Sequence, residues 1–165
     1  MSLIKEKAIM SMKDYFNGDL NQINHALKVL NYAEEIYHGE NLKDNYLYNV
    51  IILTTAFHDI GIPEAIKKHG SAHPKYQELE GGPIARKLME DLNIRKDILE
   101  RVCYIISNHH SKDKIDSLDF QIQWEADLIV NLEEGWSGID KVSLKENLED
   151  HFKTSTGIKL VSKLL

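Results

Sequence analysis

Residues 54–62 read TTAFHDIGI, and they follow the apolar run NVIIL at 49–53. The apolar residues keep a helical pitch up to Phe57. A His-Asp pair, His58 and Asp59, then stands where that buried helix ends, followed by Gly61. An unpaired carboxylate is expensive to bury, and a buried imidazole still needs partners. Two explanations remain open at this point: a polar helix end, or a cation seated there.

Outward from this stretch, helical periodicity dominates and there is no convincing strand alternation. Residues 3–16 place Ile4, Ala8, Met12 and Phe16 on one face. Asp19 with Gln22 is a capping-box start for a helix that runs to about His38 and stops at Gly39. A third helix spans about Asn45 to His58. Pro63 opens a short one that Gly70 closes. Residues 71–82 carry no clear pattern, and Pro83 is expected to open PIARKLMEDL. KDILERVCYIISNHH and LDFQIQWEADLIVNLEE follow, then two short terminal helices, with Ser143 and Glu146 as one capping box and Thr154 as the last cap. The expectation is an all-α, compact domain of about eight or nine helices with no significant sheet.

The chain has 165 residues, 42% of them apolar and 28% charged, which fits one soluble domain with a sizeable core. A net charge of −6 argues against a nucleic acid polymer as partner. Cys103 is the only cysteine, so no intrachain disulfide and no cysteine-based zinc site can form; it reads as a small buried hydrophobe. The N-terminal residues lack an apolar signal region, since Lys5, Glu6 and Lys7 interrupt it. No stretch approaches the ~20 apolar residues of a membrane span. A cytoplasmic protein is expected, and a homodimer is an open option.

Two further polar residues stand on apolar faces. Val29, Ala33 and Ile36 follow His25 at helical spacing, which puts His25 at the edge of the buried stripe. Asp127 lies mid-face among Phe120, Trp124 and Val130, where an ionised carboxylate needs a cation or several donors. Taken singly, His25 reads as a satisfied core histidine, and Asp127 equally as the partner of a basic side chain. Taken together, His25, His58, Asp59 and Asp127 form a mixed nitrogen and oxygen set suited to Mn²⁺, Fe²⁺, Co²⁺, Ni²⁺, Mg²⁺ or Zn²⁺. Such an ion acidifies a water and polarises a phosphoryl group.

In this order, His … His-Asp … Asp on an all-helical chain resembles the HD-domain metal-dependent phosphohydrolase superfamily. The resemblance covers roughly residues 20–135, with 1–19 and 136–165 as flanking helices of a single domain. It rests on HALKVLNYAEEI, TTAFHDIGI, EGGPIARKLMEDL, VCYIISNHH and WEADLIVNL in sequence. It implies His25, His58, Asp59 and Asp127 as ligands of one divalent ion, with Asp59 where two-metal members bridge their ions. It implies hydrolysis of a small phosphorylated substrate, a phosphomonoester or phosphoanhydride, with nucleotides among the candidates. The other reading is a non-catalytic metal and phospho-ligand sensor on the same scaffold.

The chain departs from the family pattern in two places. Ile62 stands where many members carry a lysine after His-Asp-x-Gly. Lys67, Lys68, Lys112 and Lys114 are the nearby cations and read as solvated charges. His109 and His110 resemble the extra histidines of dinuclear members, but Gln77 stands about where the preceding helix would offer one more histidine. One metal is therefore expected, with His109 donating to phosphate, water or the leaving group. Glu80 is expected at the same cavity as a base or orienting acid, with Glu64 a weaker candidate. Arg86 is expected to pair with Glu90, and Trp124, Tyr76 and Tyr104 to serve as core aromatics rather than base-stacking platforms.

Overall fold

The computed structural model describes residues 2–135 and 138–165. Among them are ten α-helices, one short 3₁₀ turn and no strand. The helices are α1 (Leu3–Phe16), α2 (Leu20–Gly39), α3 (Asn45–Phe57), α4 (Ile62–His69), α5 (Pro74–Asp91), α6 (Lys96–Ile106), α7 (Leu118–Glu133), α8 (Lys141–Glu146), α9 (Leu148–His151) and α10 (Ser155–Ser162). The expected flank at 136–165 begins with two positions, 136 and 137, that lie outside the described residues.

Helix α3 sits at the centre because nothing on its second half can face water. Every residue from Val50 to Phe57 is buried, and the helix packs against α1, α2, α6 and α7. On one side Met12, Leu53, Phe57, Val102 and Ile106 form a core with α1 and α6. On the other, Val29, Ile36, Ile51, Ile129 and Val130 join α2 to α7. Tyr48 of α3 packs against both.

Side-chain caps set the starts of the long helices. Asp19 accepts from the Gln22 amide and Asp44 from the Leu47 amide. Among the described residues three short helices rather than two follow α7, and two further starts differ from the sequence expectation. Pro83 lies inside α5 rather than opening a helix. Pro74 takes the first turn instead, where a missing N–H costs nothing, and His73 Nδ1 accepts from the Lys75 amide. The cap of α8 is Asp140, whose carboxylate accepts from the Ser143 amide, and not Ser143 itself. Helix α6 ends at Ile106, so residues 107–110 form turns. That break, rather than a continuing helix, aims the two histidines.

Gly61 shows why the corner after Asp59 is tight. A Cβ there would lie 2.5 Å from the Gln77 carbonyl and 2.7 Å from the Gly81 nitrogen. Glycine lets the α3–α4 corner touch the backbone of α5, which brings Gln77 alongside the His-Asp pair.

Candidate metal centre

His25 comes from α2, His58 and Asp59 from the turn after α3, Asp127 from α7, and His109 and His110 from the turn after α6. Each is carried by an element whose apolar side is already committed to the core. His58 is fully buried and His109 is 2% exposed.

Three imidazoles have their tautomers set by a partner on Nδ1. His58 Nδ1 donates to the Thr55 carbonyl at 2.8 Å, and His109 Nδ1 to the Ile106 carbonyl at 2.7 Å. His25 Nδ1 donates to Glu134 Oε1 at 2.6 Å. A carbonyl or carboxylate can only accept, so Nδ1 carries the proton in each ring. In its neutral form each ring therefore turns an unprotonated Nε2 inward.

Those three nitrogens converge on carboxylates, not on donors. His25 Nε2 lies 3.1 Å from Asp127 Oδ1 and 3.3 Å from Asp59 Oδ2. His58 Nε2 lies 3.2 Å from Asp59 Oδ2, 3.4 Å from Asp127 Oδ1 and 3.3 Å from His25 Nε2. His109 Nε2 faces Asp59 Oδ1 at 3.4 Å and has no hydrogen-bond partner among the described residues. Asp59 thus splits its two oxygens, Oδ2 toward His25 and His58 and Oδ1 toward His109.

A buried set of acceptors must recruit positive charge. Without a metal, protons supply it. Burial opposes a charged His58, but Asp59 and Asp127 outweigh it and hold the imidazole well above its ordinary pKa. His25 is raised in the same contest, burial against the Asp127 hydrogen bond. Asp59 and Asp127 are correspondingly lowered: burial pushes them up, and His58 and the neighbouring rings pull them further down. A divalent ion would satisfy the same lone pairs at once. Ligand atoms of His25, His58 and Asp127 lie within 4.8 Å of one another, as do those of Asp59, His109 and His110. The donor set therefore suits a divalent metal, with two imidazoles and one carboxylate in each group and Asp59 reaching toward both.

His110 is tied differently. Gln77 Nε2 donates to the Ala72 carbonyl at 2.6 Å, which leaves Gln77 Oε1 as the acceptor facing His110 Nε2 at 2.9 Å. His110 must then donate from Nε2, and only its Nδ1 remains for a metal. Burial lowers the His110 pKa to about 4, so the ring is neutral.

Not every residue marked in the sequence gathers here. Glu80 is turned to another depression, where His69 Nε2 and Lys68 Nζ hold its carboxylate at 3.1 and 3.3 Å. Glu64 lines that depression too. Arg86 pairs in a fork with Glu100 of α6, at 2.7 and 2.8 Å, rather than with Glu90. Trp124 stacks beside His151, Tyr76 lies flat on His69, and Tyr104 is 37% exposed. Cys103 is buried as expected.

Glu134 joins the cluster although its own sequence neighbourhood does not single it out. It lies two helical turns beyond Asp127, and that periodicity was available in the sequence.

A cavity of about 470 Å³ opens over the cluster, touching His25, Asp59, Asp127, Gln77, His110 and Glu134. A smaller one of about 240 Å³ adjoins it at His109, His110 and Trp124.

No family model matches the chain, and no curated protein does. Among solved structures, the fold is similar to the crystal structure of a predicted HD superfamily hydrolase from an uncultured Thermotogales bacterium. The TM-score is 0.64 and the identity 21%, over 97% of this chain and 82% of that one. The chain therefore has the HD-domain fold that its motifs resemble. No helix among the described residues is long and apolar enough to cross a membrane.

Proposed function

We propose that this protein is a divalent-metal-dependent phosphohydrolase acting on a small phosphorylated metabolite. The observation that carries the reading is the convergence of three imidazole Nε2 atoms on two buried carboxylates with no donor between them. In this reading His25, His58, Asp59 and Asp127 hold one ion of the Mn, Fe, Co, Ni, Mg or Zn type. When bound, such an ion supplies charge neutralisation at the phosphoryl oxygens and an acidified water.

The chain's own residues do the rest. Glu134 and the Thr55 carbonyl fix the rings of His25 and His58, so their Nε2 atoms stay aimed inward. His109 offers Nε2 without a proton in its neutral form, since Nδ1 is committed to the Ile106 carbonyl. It is therefore placed to take a proton from an attacking water at Nε2, and its donor role toward the leaving group follows after that transfer. Asp59 Oδ1 faces the same atom and stabilises the imidazolium formed. Both are the catalytic residues of the proposal.

The test is metal content by elemental analysis of untagged protein purified without chelator, followed by a phosphate-release screen with the ion found. About one ion per chain and release of phosphate support the reading. Ligand-induced stabilisation with no release under any divalent ion would replace it by the sensor reading. No metal after soaking with Mn²⁺, Co²⁺ or Ni²⁺ would end both. Two ions per chain would bring His109 and His110 into the ligand set.

A further inference from the structure

The larger cavity has a distinctive chemistry. Beyond the cluster it is lined by amides, those of Asn21, Gln22 and Asn131, and by the apolar side chains of Ile62, Ile66 and Pro74. No Lys or Arg is among its described lining residues, and Glu134 adds a carboxylate. The smaller cavity continues the pattern: Trp124 contributes an indole, whose Nε1 is buried and without a hydrogen-bond partner among the described residues. Amides and an indole N–H can bind hydroxyls or a heterocycle. They carry no charge to set against an anion.

The charge balance points the same way. Asp59, Asp127 and Glu134 outweigh a single divalent ion by one charge, with the histidines neutral. One phosphoryl group can be drawn in by the ion itself. Every further phosphoryl group or carboxylate would meet an acidic, cation-free wall, where like charge repels. Sites built for chains of phosphates place lysines, arginines or free helix N-termini along the chain. Three helices do start on this wall, α2 beside Asn21 and Gln22, α4 at Ile62 and α5 at Pro74, but Asp19 already takes the Gln22 amide, His73 takes the Lys75 amide, and Pro63 and Pro74 have no N–H to offer. Ile62 occupies the wall at the start of α4, the position next to the His-Asp turn from which a basic side chain would reach the cavity.

We propose that this cavity selects a singly phosphorylated small molecule whose remainder is uncharged and polar, such as the phosphomonoester of a polyol, sugar or nucleoside, and gains nothing from additional phosphates. The proposal rests on the metal-dependent reading above, and its test separates the two. Orthophosphate and the non-hydrolysable methylenediphosphonate are titrated calorimetrically into metal-loaded protein, with metal retention checked by elemental analysis. Orthophosphate binding is required by the phosphohydrolase reading; its absence overturns that reading and this inference with it.

If orthophosphate binds, methylenediphosphonate is expected to bind no more than threefold tighter, or weaker. Tightening beyond threefold overturns the inference and leaves the phosphohydrolase standing. The non-hydrolysable phosphonate analogue of glycerol 3-phosphate is expected to bind at least tenfold tighter than that of 3-phosphoglycerate, which exchanges one hydroxymethyl group for a carboxylate. A smaller ratio, or the reverse order, overturns the claim about the remainder. Ile62→Lys is expected to raise methylenediphosphonate affinity at least tenfold. A smaller gain would show that the wall at Ile62 does not read the charge of the ligand, and would overturn the inference as well.

Discussion

Of the three buried carboxylates on helix α7, Glu125 and Asp127 stand two residues apart and have opposite surroundings. Glu125 is fully buried and takes four hydrogen bonds: from Gln121 Nε2 at 2.6 Å, the Lys153 amide at 2.9 Å, the Thr154 amide at 3.2 Å and Thr154 Oγ1 at 2.6 Å. Its neighbourhood is closed so tightly that a Cβ on Gly157 would lie 1.9 Å from Glu125 Oε1. Asp127, on the other side of the helix, meets only imidazole nitrogens and faces a cavity. Burial alone does not mark a functional acid. The count of donors separates the two: Glu125 is complete within the chain and fastens the C-terminal segment, whereas Asp127 meets only the imidazoles of His25 and His58, the lone pairs the proposed ion would fill.

The contrast is broken most directly by removing each acid in turn. Asp127→Ala should lose bound metal and activity together, by more than the roughly 10–100-fold typical of losing an outer partner of a ligand. Elemental analysis checks it, and full metal occupancy in the variant would remove Asp127 from the ligand set. Glu125→Ala should leave metal binding intact and cost about 3 kcal/mol of stability, since two backbone amides and two side chains lose their acceptor. For a chain of this size that is roughly 6–12 °C in Tm. Added metal should raise the Tm of Glu125→Ala by the same increment as wild type, because the ion binds only the native state. It should leave Asp127→Ala unmoved. Equal responses in the two variants would erase the distinction between the carboxylates.

Much of this was legible in the sequence, for identifiable reasons. His25, His58, Asp59 and Asp127 stand out because a polar residue at core spacing is costly and so demands a partner. The helices were legible because caps and apolar spacing are local. What failed was non-local. Pro83 is an ordinary helix-opening signal, yet α5 begins nine residues earlier, where Pro74 fills the first turn and packing on Gly61 holds the segment before Pro83. Leu79, whose carbonyl loses its helical donor at Pro83, is 57% exposed, on the side of α5 that faces water. Glu80 looked close to the site in sequence, but its helix turns it toward His69 and Lys68. Glu125 cannot be told from a surface acid until the backbone at 153–154 folds back on it.

Glu134 sharpens the comparison from inside the proposed metal centre. It touches no inward lone pair, and its whole contact with the cluster is the bond from His25 Nδ1. It is therefore a positioning residue. Glu134→Ala should weaken metal affinity by roughly 10–100-fold with little change in global stability. Glu134→Gln should recover most of that loss, since an amide oxygen can still accept from Nδ1. Direct metal titration of the three proteins decides it. Equal affinities in wild type and Glu134→Ala would show that His25 is aimed by packing alone.

The smallest effect expected separates two acids within the C-terminal attachment by the sign of their pH dependence. Glu40 accepts from the Ser155 and Thr156 amides and from Thr156 Oγ1 at the start of α10, and the Thr156 hydroxyl above all holds its carboxyl below the ordinary value. A lowered folded pKa means that Glu40 contributes its stability above the unfolded value and loses it as pH falls through the folded one. Glu125 runs the other way. Burial raises its carboxyl despite its four donors, so its most favourable contribution is below the unfolded value and fades as pH rises through the folded one. Urea midpoints between about pH 3 and pH 8 should show this as a crossing. Glu40→Gln should flatten the acid limb, with an amplitude below about 1 kcal/mol for a carboxylate at a helix start. Glu125→Gln should instead remove the decline on the higher-pH side. Parallel curves for the two variants would mean that donors, and not burial, set the ionisation of Glu125. The fully bonded carboxylate of α7 would then behave like the capping one.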